Sequence, residues 1–447
     1  MAEVIVIGAG LSGLRAATRL TEAGVDVLVL EARSRVGGRT LTEVVDGVAY
    51  DRGGQWVGPS QHRMLALISE LGLKTFPTYG AGETILDVAG KQRRYKGTIP
   101  PFGVLDLLRV QRALSKMDRL TARVDAAHPM STRKAEQLDA QTLQGFVDRY
   151  LTARPLGALA PAIRVVFGAE MSELSLLWFL TYCAGSGGFT HLIEAEGGHQ
   201  QDRLVEGMGT ISERLAERLG DRIITDAPVR RVEHSADGVT AHTDRGTFTA
   251  RRLVVALPPN LCNLIDWQPL LPARREQLHQ KMSMGSTVKV IATYDTPFWR
   301  EAGLSGEVVC DRGPFSIIYD NSPHDLRCGA LVGFVVAKHA RWFAEADEQS
   351  RDAVLCAALA SFFGEQARSP DRLLVQDWGA EPWTRGCPVG NAPPGLLTAA
   401  ADALREPVGA IHWAGTETAR EQPGFMEGAL EAGDRAADEI LRGEGAQ

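Results

Sequence analysis

The chain has 447 residues, a formal charge of −7 and 44% apolar residues, enough for two or more domains with buried cores. Without a long basic block, it offers no electrostatic reason to bind nucleic acid or an anionic membrane. Its six cysteines (Cys183, Cys262, Cys310, Cys328, Cys356 and Cys387) include no Cys-x-x-Cys pair, which fits a reducing compartment and no metal centre.

In chain order, an apolar run at 4–7 starts too early for a signal region to precede it, and no apolar run of about 20 residues follows anywhere. A soluble, cytoplasmic protein with no membrane partner is the expectation. The run enters Gly8-Ala9-Gly10-Leu11-Ser12-Gly13, followed by a helical stretch over 14–23 and a β-branched run over 25–30 that closes on Glu31. This is the order a dinucleotide-binding unit requires. Gly8 allows the tight turn, Gly10 lets backbone approach a pyrophosphate, and Gly13 lets helix and strand pack closely, while the helix N-terminus offers free N–H groups to phosphate. Glu31 stands 18 positions after Gly13, near the spacing of about 20 for an acid that accepts ribose hydroxyls. Arg33, Arg35, Gly37, Gly38, Arg39 and Thr40 then build a second phosphate-cradling turn where a nicotinamide-binding unit moves on to a third strand. FAD is the dinucleotide this favours.

Residues 50–59 are turn-rich, and a helix is expected over 63–71. From 73 to 204 amphipathic stretches at 105–120, 143–150 and 173–182, introduced by Pro100-Pro101, predict a largely helical insertion. Gly185-Ser186-Gly187-Gly188 is a bend. Gly207-Met208-Gly209-Thr210 opens a helix, 228–232 reads as a strand, 239–249 as a hairpin and 253–257 as a buried strand stopped by Pro258-Pro259. The run 287–292 is strand-like, and by pattern alone Lys289 is an exposed strand lysine. Strands at 308–309, 316–319 and 330–336 and a helix over 351–363 follow. The run 411–418 is a strand entering a glycine turn, and Gly424 opens a final helix. Sheet and insertion alternate, so each domain is discontinuous.

The stretches 31–40, 51–60, 197–215, 284–289, Phe298-Trp299 and 413–437 together resemble the flavin-containing amine oxidases, monoamine oxidase branch, from residue 2 to about 440. The resemblance implies an α/β fold: an FAD-binding Rossmann-like domain of GR2 type (1–74, 205–278, 381–447) with a second α+β substrate domain (75–204, 279–380). It places Gly53, Gly54 and Trp56 beneath the flavin and Val229 at the adenine. Arg33, Arg39, Trp378, Gly415, Thr416, Glu417 and Met426 join the cofactor site. Lys289 matches the lysine that holds a water against the reactive flavin nitrogen. Ile193 falls at a gate between cavities and Gln200 at a polar residue facing the amine. Phe425 is one wall of an aromatic cage whose other tyrosine is here Pro388. Cys387, nine positions past Trp378, stands where membrane-bound members bond the flavin, and a free thiol of pKa about 8.5 is partly ionised near neutrality.

The implied activity is FAD-dependent oxidation of a small primary or secondary amine to an imine, then an aldehyde or ketone, with O2 reduced to hydrogen peroxide. Its partners are the amine and O2, and a homodimer is the expected assembly. Two other readings use the same residues: a desaturase or dehydrogenase of this fold, and a non-catalytic flavin-binding module.

Overall fold

The run at 4–7 forms strand Val4–Ile7, buried throughout, at the centre of a five-stranded parallel sheet. Across the sheet the order is Ile223–Ile224, Val27–Leu30, Val4–Ile7, Arg252–Val255, Ile411–Trp413. The chain therefore builds outward on one side of Val4–Ile7 and returns to build on the other, which leaves a crevice at the carboxyl ends of the strands where the order reverses. The computed structural model describes residues 2–97, 101–193 and 197–443.

Helix Leu11–Glu22 starts directly after Gly10, three residues ahead of the expected 14–23. Gly13 is thus inside its first turn, where a Cβ would lie 1.9 Å from the Gly8 carbonyl oxygen. Only glycine lets the helix sit this close to the strand it follows. The closing helix, Met426–Leu441, packs on the same helix: a Cβ on Gly433 would meet the Ser12 carbonyl oxygen at 2.5 Å. Arg15 pairs with Asp434 at 2.6 Å and Arg19 with Asp438 at 2.7 Å. Partner numbers rise together, so the two helices run parallel and present their N-termini at one end of the sheet.

A seven-stranded sheet runs in the order Arg372–Asp377, Thr287–Tyr294, Gly329–Val336, Ile317–Asp320, Leu304–Cys310, Glu83–Val88, Lys91–Tyr95. Thr287–Tyr294 and Gly329–Val336 are buried along their whole length and pair antiparallel. The last two strands correct the expectation that 73–204 is largely helical. Ala89 and Gly90, at φ +56° and +71°, turn the chain tightly between them, and Glu83–Val88 pairs parallel with Leu304–Cys310. Lys91-Gln92-Arg93-Arg94 carries no apolar residue, since an edge strand open to water needs none, and so leaves no period-two trace.

Helices in the rest of the insertion are real but shifted. Leu143–Val147 is shorter than expected, while Leu176–Gly185 begins later because Ser175 caps it, its Oγ accepting the Trp178 N–H at 3.3 Å. Helix Ala153–Phe167, with Pro161 inside, has no counterpart in the sequence reading. Of Pro100-Pro101, Pro100 lies outside the described residues. Small sheets knit the larger pieces together: Trp56–Val57, Asp202–Leu204 and Thr75–Pro77 form one, and Ser283–Met284 with Gly390–Asn391 another.

Candidate active site

A cleft of about 860 Å³, open to solvent at its mouth, occupies the crevice where the strand order reverses. Gly8, Gly10, Glu31, Arg33, Arg39, Gly54, Cys387, Gly415, Thr416, Phe425 and Met426 all line it. Residues from the first forty positions and the last sixty are thereby brought onto one surface.

Other expected residues stand behind this wall. Gly13 supports Gly8, and a Cβ on Gly53 would lie 2.1 Å from the Arg39 carbonyl oxygen. Glu417 is fully buried and pairs with Arg39 at 2.8 Å, which in turn donates to the Pro388 carbonyl at 2.7 Å. Trp378 is buried, its Nε1 donating to the Arg52 carbonyl at 3.1 Å. Val229 is buried at the start of strand Val229–His234, two residues after Ala227, whose N–H donates to the Glu31 carbonyl at 2.8 Å. Gln200 lies off the cleft, its Nε2 donating to the Leu192 carbonyl at 3.0 Å. Ile193 ends the short helix Phe189–Ile193, and its side chain lies outside the described residues.

The electrostatics of the cleft suit a dinucleotide. Neither helix pointing at it has a side-chain cap, so its first-turn N–H groups and the positive end of each dipole remain for an anion. The Glu31 carboxylate, 3% exposed, accepts the Ala9 N–H at 2.7 Å and the Arg33 N–H at 2.9 Å, which fixes it at the rim. Arg33 donates to Thr384 Oγ1 at 2.6 Å, holding the far lip. One carboxylate, two uncapped helix ends and glycines that keep side chains off the floor fit flavin adenine dinucleotide.

Lys289 is not the exposed residue its pattern suggests. Its strand is buried on both faces, and Nζ donates to the Gly53 carbonyl at 2.8 Å and to Gln55 Oε1. Trp56 and Phe334 lie 5.6 and 5.8 Å from it. Desolvation pushes its ammonium down to about 7, with the nearby Asp51 carboxylate opposing. Cys387 is anchored by its N–H to the Gly285 carbonyl and by its own carbonyl, which accepts from Thr287 Oγ1, both at 2.8 Å. Burial pushes its thiol up to about 11, with Arg39 and Lys289 pulling the other way. That corrects the expectation of a thiol partly ionised near neutrality.

Two aromatic groups lie near the cleft, one packed around Phe425 on its wall and one around Trp56 beside Lys289. Phe425 meets Tyr182 at 5.9 Å and the ring of His199 at 4.7 Å. Trp56, half-buried, meets Tyr319 at 5.5 Å and Phe334 at 5.8 Å. Sequence reasoning missed Tyr182, His199, Tyr319 and Phe334. Only His199 had a signal, its place beside Gln200; the others sit in apolar runs that read as core. Among the described residues no cluster of His, Cys, Asp or Glu could hold a metal ion, and no helix is long and apolar enough to cross a membrane.

Residues 11–441 match the family model for flavin containing amine oxidoreductase. A probable flavin-containing monoamine oxidase A of Dictyostelium discoideum is 39% identical over 442 residues, covering 98% of this chain and 97% of that one. Among solved structures, wild-type putrescine oxidase bound to putrescine superposes with a TM-score of 0.93 at 36% identity, over 99% of both chains. Cyclohexylamine oxidase from Brevibacterium oxydans does so with a TM-score of 0.94 at 31% identity, again over 99% of both. With a family model matched over nearly its whole length and whole-chain relatives well above 30% identity, the chain belongs to the flavin-containing amine oxidoreductases.

Proposed function

We propose that the protein is an FAD-dependent oxidase that takes two electrons from the carbon–nitrogen bond of a small primary or secondary amine. The imine then hydrolyses to an aldehyde or ketone, and O2 is reduced to hydrogen peroxide. The observation that carries this reading is the cleft itself: two uncapped parallel helices, Glu31 and Arg39 meet there, with buried Lys289 just behind Gly53 and Gly54 and Phe425 on the wall. The bound flavin supplies a two-electron acceptor that oxygen regenerates.

Each residue has a task in this reading. Glu31 accepts the ribose hydroxyls, and the N–H groups opening helix Leu11–Glu22, with Arg39 steadied by Glu417, face the diphosphate. Gly53, Gly54, Trp56, Trp378, Gly415 and Thr416 shape the ring site, and Val229 the adenine end. The N-terminus of Met426–Leu441 puts partial positive charge where negative charge accumulates on reduction. Lys289 positions a water at the reacting nitrogen of the ring. Phe425 and its apolar surroundings disfavour the ammonium form, so the amine reacts neutral. Ile193 gates the approach.

We further infer that Cys387 carries the flavin as a thioether. Such a bond would join Sγ to the ring methyl carbon, with the two hydrogens given up taken by O2 as hydrogen peroxide. Residues 1–74, 205–278 and 381–447 form the cofactor domain in this reading, supported by the parallel sheet drawing every strand from them. The substrate domain takes 75–204 and 279–380, which supply every strand of the seven-stranded sheet. Six free thiols support action in the cytoplasm. The exposed apolar run Val104, Leu105 and Leu108 supports a homodimer surface.

Anaerobic mixing with a panel of amines, followed by peroxide assay in air, tests the function. Bleaching with peroxide upholds it. Bleaching without peroxide overturns the oxidase, and a flavin that no amine bleaches overturns the amine.

A further inference from the structure

The loop 379–385 closes on itself at a neck where the Gly386 N–H donates to the Trp378 carbonyl at 2.8 Å, and the Thr384 and Arg385 N–H groups both return to the Glu381 carbonyl, at 3.1 and 2.8 Å. It carries Trp383 to the cleft. Five of the chain's eight tryptophans are buried, whereas Trp383 is half-buried and lines the cleft wall. Two latches place it at the Glu31 end. Arg33 donates to Thr384 Oγ1 and stands 3.4 Å from Glu381. The Arg230 guanidinium, one residue past Val229 and paired with Asp244 at 3.1 Å, lies over the indole at 5.3 Å from its centroid. One face of the ring is thus taken by a cation, and part of the rest is cleft wall. Arg33 Nε is buried without a hydrogen-bond partner among the described residues, although buried polar atoms nearly always have one. A flat apolar surface and a bare donor on one lip call for a ligand that brings a planar ring and an oxygen close to it.

We propose that the loop 379–385 is a clasp on the adenosine half of FAD, in which the Trp383 indole stacks on the purine, Arg230 backs the indole, and Arg33 Nε donates to a ribose oxygen, so that the enzyme prefers FAD to FMN. This rests on the FAD-dependent oxidase reading and names what retains its cofactor. Purine and indole are both flat, and a base stacked on an aromatic side chain gains affinity without needing a hydrogen-bond pattern. The guanidinium on the outer face holds the indole in place, and Asp244 holds the guanidinium. FMN has no purine to offer, so the clasp adds nothing to its binding.

The test measures binding of FAD and FMN to the full chain by flavin fluorescence, and of AMP by its displacement of FAD. Every chain carries Cys387→Ser, so that no bond to the flavin masks its release. Trp383→Ala should raise Kd for FAD and for AMP by the same factor, about tenfold, and leave Kd for FMN in place. Trp383→Phe, which keeps a flat ring, should recover most of the loss, and Trp383→Leu, apolar but not flat, should not. Circular dichroism of the flavin-free chain reports folding. Should Trp383→Ala fail to fold, Arg230→Ala replaces it and should raise Kd for FAD and AMP about threefold while sparing FMN. An unchanged Kd for FAD, an equal loss for FAD and FMN, or full recovery by leucine overturns the clasp and leaves the amine oxidase intact. A parent chain that takes up neither FAD nor AMP overturns both.

Discussion

At the scale of single residues, burial decides what the chemistry can be. Lys289 titrates near 7 because its ammonium is removed from water, with Asp51 restraining the fall. A cation in that place aids the reduction of oxygen, and the charged form is lost as pH rises through about 7. Flavin reoxidation by O2 should therefore slow between pH 6 and pH 8 in stopped-flow traces of the reduced enzyme. Lys289→Met should keep flavin and amine reduction, lower reoxidation by roughly 10- to 100-fold and flatten the pH profile. Unaltered oxygen kinetics would make Lys289 a structural lysine. Burial favours the thiol form of Cys387, so the proposed thioether would need Arg39, Lys289 and the flavin itself to draw off the proton. Acid denaturation and centrifugation read the bond: a yellow pellet means a thioether, and a yellow supernatant means none. Glu31 could be recognised in the sequence because its motif is contiguous. The burial of Lys289 could not, because neighbours that are all small or β-branched look alike whether one face is wet or both are dry.

At the scale of elements, glycine positions carry the close contacts. With 1.9 Å between a Cβ at Gly13 and the Gly8 carbonyl, Gly13→Ala must push helix Leu11–Glu22 off strand Val4–Ile7. A loss of about 3 kcal/mol is expected, seen as a lower urea midpoint at unchanged slope together with weaker flavin retention. A variant as stable as the wild type would mean that the helix has room to move. Helix and strand at the chain's opening were readable because turn, period and spacing agree there. The pair Glu83–Val88 and Lys91–Tyr95 was not, since its pairing with Leu304–Cys310 joins residues more than two hundred positions apart, and a polar edge strand has no periodicity of its own. Of the candidate site, the phosphate and ribose end lay open in consecutive motifs. The inner end did not: Tyr319, Phe334 and His199 matter through neighbours that only folding supplies.

At the scale of the molecule, the cleft is shared by segments from both ends of the chain. A ligand that binds only the folded form stabilises it by mass action, about 2.7 kcal/mol at a hundredfold excess over Kd. Removing the flavin should lower Tm, and adding FAD should restore it in a concentration-dependent way, while AMP, which cannot span from Glu31 to Phe425, should restore only part. A Tm indifferent to FAD would place the cofactor elsewhere. The parallel pairing of Leu11–Glu22 with Met426–Leu441 also fixes the order of events during synthesis. The first glycine turn and the segment of Phe425, Met426 and the helix that carries Asp434 and Asp438 stand about four hundred residues apart in the chain. Until the second helix is made, the phosphate end has no roof and the ring end no wall, so the first helix stays unpartnered and flavin should be captured only once both helices have been translated.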